Sequence, residues 1–361
     1  MRGATGVEST AERSRVDGSP PQAVSRGSHR MRIAMCATIG VIGAWLATHG
    51  VAGVAWGHVA GLIAGVGVGR LVELTVIWLV GLAAYSVVLS AAMPGLGARR
   101  GLTVNLTGSA VANAVPLGGA LATALNWRMV RGWGHTSDSF VVFAVVTNAL
   151  AVATKLVLPV LAVVLLSAGS AHVPAVLLLA AGGCLVALAA CSAAVVRLIR
   201  HPWCPGLHGQ GNGRWRASLQ RFVDGVGREA LAPVRANWPS LLAGSVAYAV
   251  AQIVLFAFSL YSVGLVAPLP ALVAAASIER LGTIVPVTPG GAGVAEVGAI
   301  AWLIAAGFDP ASAIAGVLLY RTFAFALEIP VGGVVLAVWA WHSTPTRRFG
   351  PRGGPACASS T

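Results

Sequence analysis

Apolar residues in this chain come in long runs rather than in alternation. Runs at 33–48, 72–92, 139–168, 174–196, 239–265 and 310–341 reach or approach the ~20 residues that cross a ~30 Å hydrocarbon core. They predict an all-α polytopic membrane protein with six transmembrane helices. Membrane barrels are excluded, because they need short alternating strands and a polar lumen face. Residues 51–70, with Trp56, His58 and many glycines, predict an interfacial helix or loop. Residues 1–32 and 342–361 predict disordered cytoplasmic tails, being rich in Gly, Ser, Pro and Arg, and 197–238 is a long polar loop. The length of the polar region before the first run favours an uncleaved anchor over a signal peptide.

Two more apolar stretches, 103–126 and 271–306, are each interrupted at the middle by proline and paired glycine. Proline removes a backbone donor and glycine adds freedom, so each predicts two short helices around a non-helical elbow. Broken backbone at membrane depth persists only where protein or a wet cavity satisfies its polar groups. Both stretches therefore read as re-entrant hairpins. The order span, span, hairpin, span then occurs twice, the second time entering from the opposite face. That is the layout of an inverted repeat with a site between discontinuous helices.

Composition agrees with this picture. Apolar residues make up 57% of the chain and charged residues only 10%, against roughly 25% charged in a soluble domain. The net charge of +13 raises nucleic acid as a partner, but all except four of the 24 basic residues fall in the tails, the pair Arg99/Arg100, the pair Arg128/Arg131, or the 197–238 loop. With both hairpins re-entrant, every one of those stretches lies on one side. Positive-inside segregation makes that side the cytoplasm and leaves anionic headgroups, not nucleic acid, as the electrostatic partner. Cys36, Cys184 and Cys191 sit in apolar runs as small hydrophobes, and the ligands around Cys204 match no standard zinc spacing. No metal or cofactor is expected.

The segment Ile284-Val-Pro286-Val-Thr-Pro289-Gly290-Gly291-Ala-Gly293-Val-Ala-Glu296 resembles the signature of the lysylphosphatidylglycerol synthase transmembrane-region family, the flippase-like membrane proteins. Asn105 to Gly134, with Pro116-Leu-Gly118-Gly119 and Asn126-Trp-Arg128, is similar to that family's earlier broken segment. The resemblance covers roughly 33–341. It implies a membrane region that moves modified phospholipid between leaflets. In bifunctional members a separate soluble domain attaches the amino acid; here only 342–361 follows the last span, so a stand-alone membrane part is implied.

Charges at bilayer depth cost at least ~2.5 kcal/mol each and therefore face a cavity or one another. Outside the cytoplasmic stretches stand Arg70, Lys155, Arg280 and Arg321, with Glu73, Glu279, Glu296, Asp309 and Glu328. Thr147, Asn148, Ala151, Thr154 and Lys155 form one inward stripe on their span. Arg321 and Glu328, seven apart, would project from one helical face, each needing a partner elsewhere; a structural ion pair with Glu279 or Arg280 is the plainer account. Glu296 sits where a carboxylate caps a half-helix, while the exposed N–H groups of the elbow formed by Pro289, Gly290, Gly291 and Gly293 are candidates to hold a lipid phosphate. Asn105, Ser109 and Asn113 define a polar face that lines the cavity or joins helices. Arg128 is a binding candidate or an ordinary positive-inside anchor.

These residues point to a lipid flippase or transporter of the bacterial plasma membrane, multi-pass with both termini cytoplasmic. An anionic or lipid-linked headgroup would cross through a polar central cavity, with Lys155, Arg280 and Arg321 opposing phosphate charge. The rival readings are a non-transporting membrane partner of lipid-modifying enzymes, and an integral glycosyl- or acyltransferase, for which no paired acids are evident. No G-x-x-x-x-G-K-[ST] loop occurs in the sequence, so transport would be passive or ion-driven.

Overall fold

The computed structural model describes residues 54–115, 118–169, 173–200, 236–284 and 288–343. The first expected span, both tails, nearly all of the polar loop, and Pro116 and Pro286 lie outside those residues. The described residues form helices and turns with no strand. In chain order the helices are α1 (Trp56–Ala64), α2 (Val68–Ala92), α3 (Gly97–Ala114), α4 (Gly118–Gly132), α5 (Ser137–Ala168), α6 (Ala175–Arg200), α7 (Trp238–Ser262), α8 (Leu269–Gly282), α9 (Val294–Ala305), α10 (Pro310–Arg321) and α11 (Glu328–Ser343). A short 3-10 turn, Pro289–Gly291, precedes α9, and a π turn, Thr322–Ala326, joins α10 to α11.

Four of these stretches are long and apolar enough to cross a membrane: α2, α5, α7 and the continuous run Pro310–Ser343. In α6 the apolar stretch is shorter, Ala175–Cys191. The glycine-rich stretch after residue 51, expected as an interfacial helix or loop, forms the helix α1, and α2 begins at Val68 rather than at 72. The spans carry apolar residues on both sides. Leu74, Trp78, Leu82 and Leu89 of α2 are buried while Val72, Val76, Leu79 and Val80 are exposed, as befits a helix with protein on one side and acyl chains on the other. Hydroxyls within the apolar helices bond back to carbonyls one turn earlier, Ser86 to Leu82 and Ser259 to Leu255, each at 2.8 Å.

Both broken stretches fold as helix, break, helix, and in each the two arms pack on one another. At 1.5 Å per residue the 14 residues of α8 and the 12 of α9 reach only about 18–21 Å. α2 and α7 are antiparallel: Asn237 before α7 donates to the Ala91 carbonyl near the end of α2, and Arg70 at the start of α2 lies over the ring of Tyr261 at the end of α7. From that pair, chain order makes the α3–α4 hairpin open at one end of the bundle and the α8–α9 hairpin at the other. Arg99, Arg100, Arg128 and Arg131 gather at the first end.

Packing between the halves is reciprocal. α2 lies on α7, α3 lies on α11, and α8 lies on α5. Each contact of a hairpin's first arm with the other half's final span has its counterpart. The approach of α3 to α11 is close enough that a β-carbon on Gly332 would collide with the Leu106 carbonyl. Small residues permit such contacts between helices in membranes.

Candidate functional site

The second elbow is built by glycine. Gly290, Gly291 and Gly293 hold φ of 57, 70 and 90°, a region that side chains rarely tolerate. Gly290 is also crowded: a β-carbon there would run into the Phe325 ring and lie 3.1 Å from Asn113 Oδ1. Asn113 ends α3, so the two broken stretches meet at their elbows. Pro289 opens the 3-10 turn. In the first hairpin a β-carbon on Gly118 would come within 2.7 Å of the Ala112 carbonyl.

Arg321, at the end of α10, ties this elbow together. Its Nε donates to Glu296 Oε1 at 2.6 Å, its Nη1 to Glu279 Oε1 at 3.0 Å and its Nη2 to the Gly290 carbonyl at 3.0 Å. The guanidinium also stacks 4.8 Å from the centre of the Phe325 ring. One side chain thus grips the incoming arm, the elbow and the outgoing arm of the second hairpin. The plainer account of Arg321, an ion pair with Glu279, is what the geometry contains. Glu296 is both cap and ion partner, its Oε2 accepting from the Gly293 amide at 2.7 Å.

Not all of the elbow's N–H groups are open to a phosphate: Gly291 and Ala292 donate to the carbonyls of Thr288 and Pro289, and Gly293 donates to Glu296. The arrangement corrects one expectation: Arg321 and Glu328 do not share a face. The π turn between them, closed by Leu327 N–H to the Thr322 carbonyl at 2.7 Å, adds an offset that a continuous α-helix lacks. Arg321 therefore turns to the elbow, while Glu328 is buried against α3, with Asn113 Nδ2 3.5 Å from its Oε2.

Beside this network lies a cavity of about 200 Å³ between the halves. Lys155, Arg280 and Glu328 are its charged lining, and Asn105, Ser109, Thr154, Gln252, Tyr85, Tyr248 and Tyr320 supply polar atoms. Arg280 is held by Glu279 at 3.4 Å and by the Tyr320 hydroxyl, to which it donates a hydrogen bond. Among the described residues Lys155 has neither an ion-pair nor a hydrogen-bond partner. A second cavity of about 240 Å³ adjoins the first, the two sharing Tyr85, Asn105 and Ser109. Thr147 and Asn148 face the second cavity and Ala151, Thr154 and Lys155 the first, so the stripe along α5 runs past both.

Of the candidate residues, Glu279, Pro289, Gly290, Gly291, Gly293, Glu296 and Arg321 converge at the elbow, and Lys155, Arg280, Glu328, Asn105 and Asn113 on or beside the charged cavity. Gly119 lines the second cavity and Gly118 the first hairpin's turn. Arg128 is exposed and stands apart, as an anchor would. Pro116 is outside the described residues. Sequence reading passed over Tyr85, Tyr248, Gln252 and Tyr320. Their signal was present: an amide and phenols inside apolar spans need partners as charges do.

Residues 32–332 match the family described as the lysylphosphatidylglycerol synthase TM region. No curated protein matches the chain.

Proposed function

Starting from the chain's membership of the lysylphosphatidylglycerol synthase transmembrane-region family, a multi-pass membrane family tied to lipids, we propose that it moves the headgroup of an anionic or lipid-linked lipid between leaflets. The observation that carries this reading is the unpaired Lys155 beside Arg280 in a cavity between the halves. An isolated ammonium at that depth is costly, and a phosphate arriving between Lys155 and Arg280 offsets the cost. Acyl or prenyl chains would stay among the exposed valines and leucines of the spans while the headgroup occupies the cavity.

In the same reading the two hairpins enter from opposite faces and the halves form an inverted repeat, supported by short arms and reciprocal packing. The end carrying Arg99, Arg100, Arg128 and Arg131 is cytoplasmic in a bacterial plasma membrane. With no nucleotide loop in the sequence, movement follows a lipid or ion gradient.

The test is reconstitution into liposomes with fluorescent phosphatidylglycerol and dithionite quenching of the outer leaflet. The wild-type protein speeds exchange over empty vesicles. Lys155→Met and Arg280→Gln each slow it at least about tenfold, the equivalent of about 1.4 kcal/mol of lost phosphate contact. Unchanged exchange in a variant that stays monodisperse and helical defeats the proposal, as does an inert wild type across phosphatidylglycerol, cardiolipin and polyprenyl phosphate probes.

A further inference from the structure

The charges around the elbow and the first cavity divide into a matched set and a remainder. Glu279 lies 3.4 Å from Arg280 and 3.0 Å from Arg321, and Glu296 lies 2.6 Å from Arg321, so these acids offset these guanidiniums. Lys155 and Glu328 remain. Both line the cavity of about 200 Å³, and neither has an ion-pair partner among the described residues. Glu328 is buried, its Oε2 3.5 Å from Asn113 Nδ2 of α3, with Ser109 of the same helix alongside. The titratable and charged groups that face it are Tyr85 of α2, Lys155 of α5, Tyr248 of α7, Arg280 of α8, and Tyr320 and Arg321 of α10. Of the cations among them, Arg280 and Arg321 are the ones already matched.

The remainder balances in either of two forms, ammonium with carboxylate or amine with carboxylic acid, and both forms hold the same number of protons. A phosphodiester entering the cavity adds a single negative charge, which is costly at this depth unless offset. A proton taken from water restores the balance whichever form the empty pair had: the loaded cavity then holds ammonium, carboxylic acid and phosphate. Glu328 is the place for that proton. Lys155 as ammonium faces the phosphate, and Glu279 and Glu296 are engaged with Arg321. As a carboxylate Glu328 repels the anion; protonated, it gains an O–H donor for a phosphate oxygen. Tyr85 and Ser109, on the wall common to both cavities, carry hydroxyls that donate and accept. The second cavity, about 240 Å³, has room for water, so a proton has a route from the side of the first hairpin.

We infer that Glu328 binds a proton each time the cavity takes up a phosphate anion, so that headgroup and proton cross together as an electroneutral symport. This rests on the headgroup-transport reading and supplies its coupling ion.

The experiment counts protons. Purified full-length protein in weakly buffered detergent micelles is titrated with phosphatidylglycerol while a pH indicator reads uptake, with protein-free micelles as the blank. Wild type takes up about one proton per lipid bound near neutral pH, and its affinity falls as pH rises, by up to about tenfold per unit. Glu328→Gln, a fixed likeness of the protonated acid, binds as wild type does in acid, holds that affinity up to neutral pH, and loses at least about half of the uptake. Should that variant not fold, wild-type vesicles decide. With the membrane potential clamped by potassium and valinomycin, a pH gradient gathers phosphatidylglycerol in the leaflet facing the alkaline side faster than in protein-free vesicles, and a protonophore abolishes the effect. Binding by wild type without proton uptake, full uptake surviving in Glu328→Gln, or no gathering under the gradient overturns the inference and leaves passive transport intact. Failure of wild type to bind the lipid at all removes the charged site on which both readings depend.

Discussion

At the scale of single residues, Arg321 and Lys155 are opposites. Arg321 has its partners built in: two carboxylates, a carbonyl and an aromatic face. Removing one member of such a buried set strands the others, so Arg321→Gln is expected to cost on the order of 3–5 kcal/mol. Thermal unfolding in detergent checks this, and Glu279→Gln combined with Arg321→Gln should lose less than the two single changes together. Lys155 has no comparable partner, and Lys155→Met should leave the melting temperature unchanged or raise it while suppressing lipid exchange. A variant that lost exchange and fold together would make Lys155 structural.

At the scale of elements, breaks and caps decide where helices end. Gly290→Ala forces a side chain into left-handed backbone and into Phe325, and should lower the melting temperature sharply; adding Phe325→Ala should restore only part, since the φ strain remains. The α10 start depends on Asp309, whose Oδ2 accepts from the Ser312 amide at 2.8 Å. That bond holds the Asp309 carboxyl below the usual carboxylate range. Its stabilisation is present in full above the ordinary value near 4 and is lost as pH falls through the depressed one. Wild type and Asp309→Ala should therefore differ by about 1 kcal/mol near neutrality and converge in acid, as unfolding across pH 7 to 3 would read. The elbows themselves were legible as proline and paired glycine in apolar runs. The π turn was not, because nothing in Thr322–Ala326 departs from an ordinary helical composition; the seven-residue spacing of Arg321 and Glu328 misled for that reason.

At the scale of the whole molecule, hydropathy made the membrane class and the helical architecture readable. Which buried charges pair with which was not readable, since it depends on how α8, α9 and α10 cross in space. Gln252 and the tyrosines were legible in principle but were overshadowed by the charged residues. If the hairpins open at opposite membrane faces, a cysteine replacing Gly134 and one replacing Gly307, at the mouths of the first and second hairpins, should react with an impermeant thiol reagent from opposite sides of sealed vesicles. Both positions have positive φ, so serine controls at each must fold before labelling is read. Labelling from the same side would rule out the opposed arrangement.

The three-way grip of Arg321 also sets the kinematics of the bundle. Because α8, the elbow and α9 are all fastened to α10 through one guanidinium, shifting any of them relative to α10 costs bonds of that shared set. The α3–α4 hairpin has no ion pair to its surroundings among the described residues. The first hairpin is held differently, by the Asn113–Glu328 contact and by the close approach of α3 to α11 at Gly332, so a transport cycle of the proposed kind would have to break one of these two unlike fastenings.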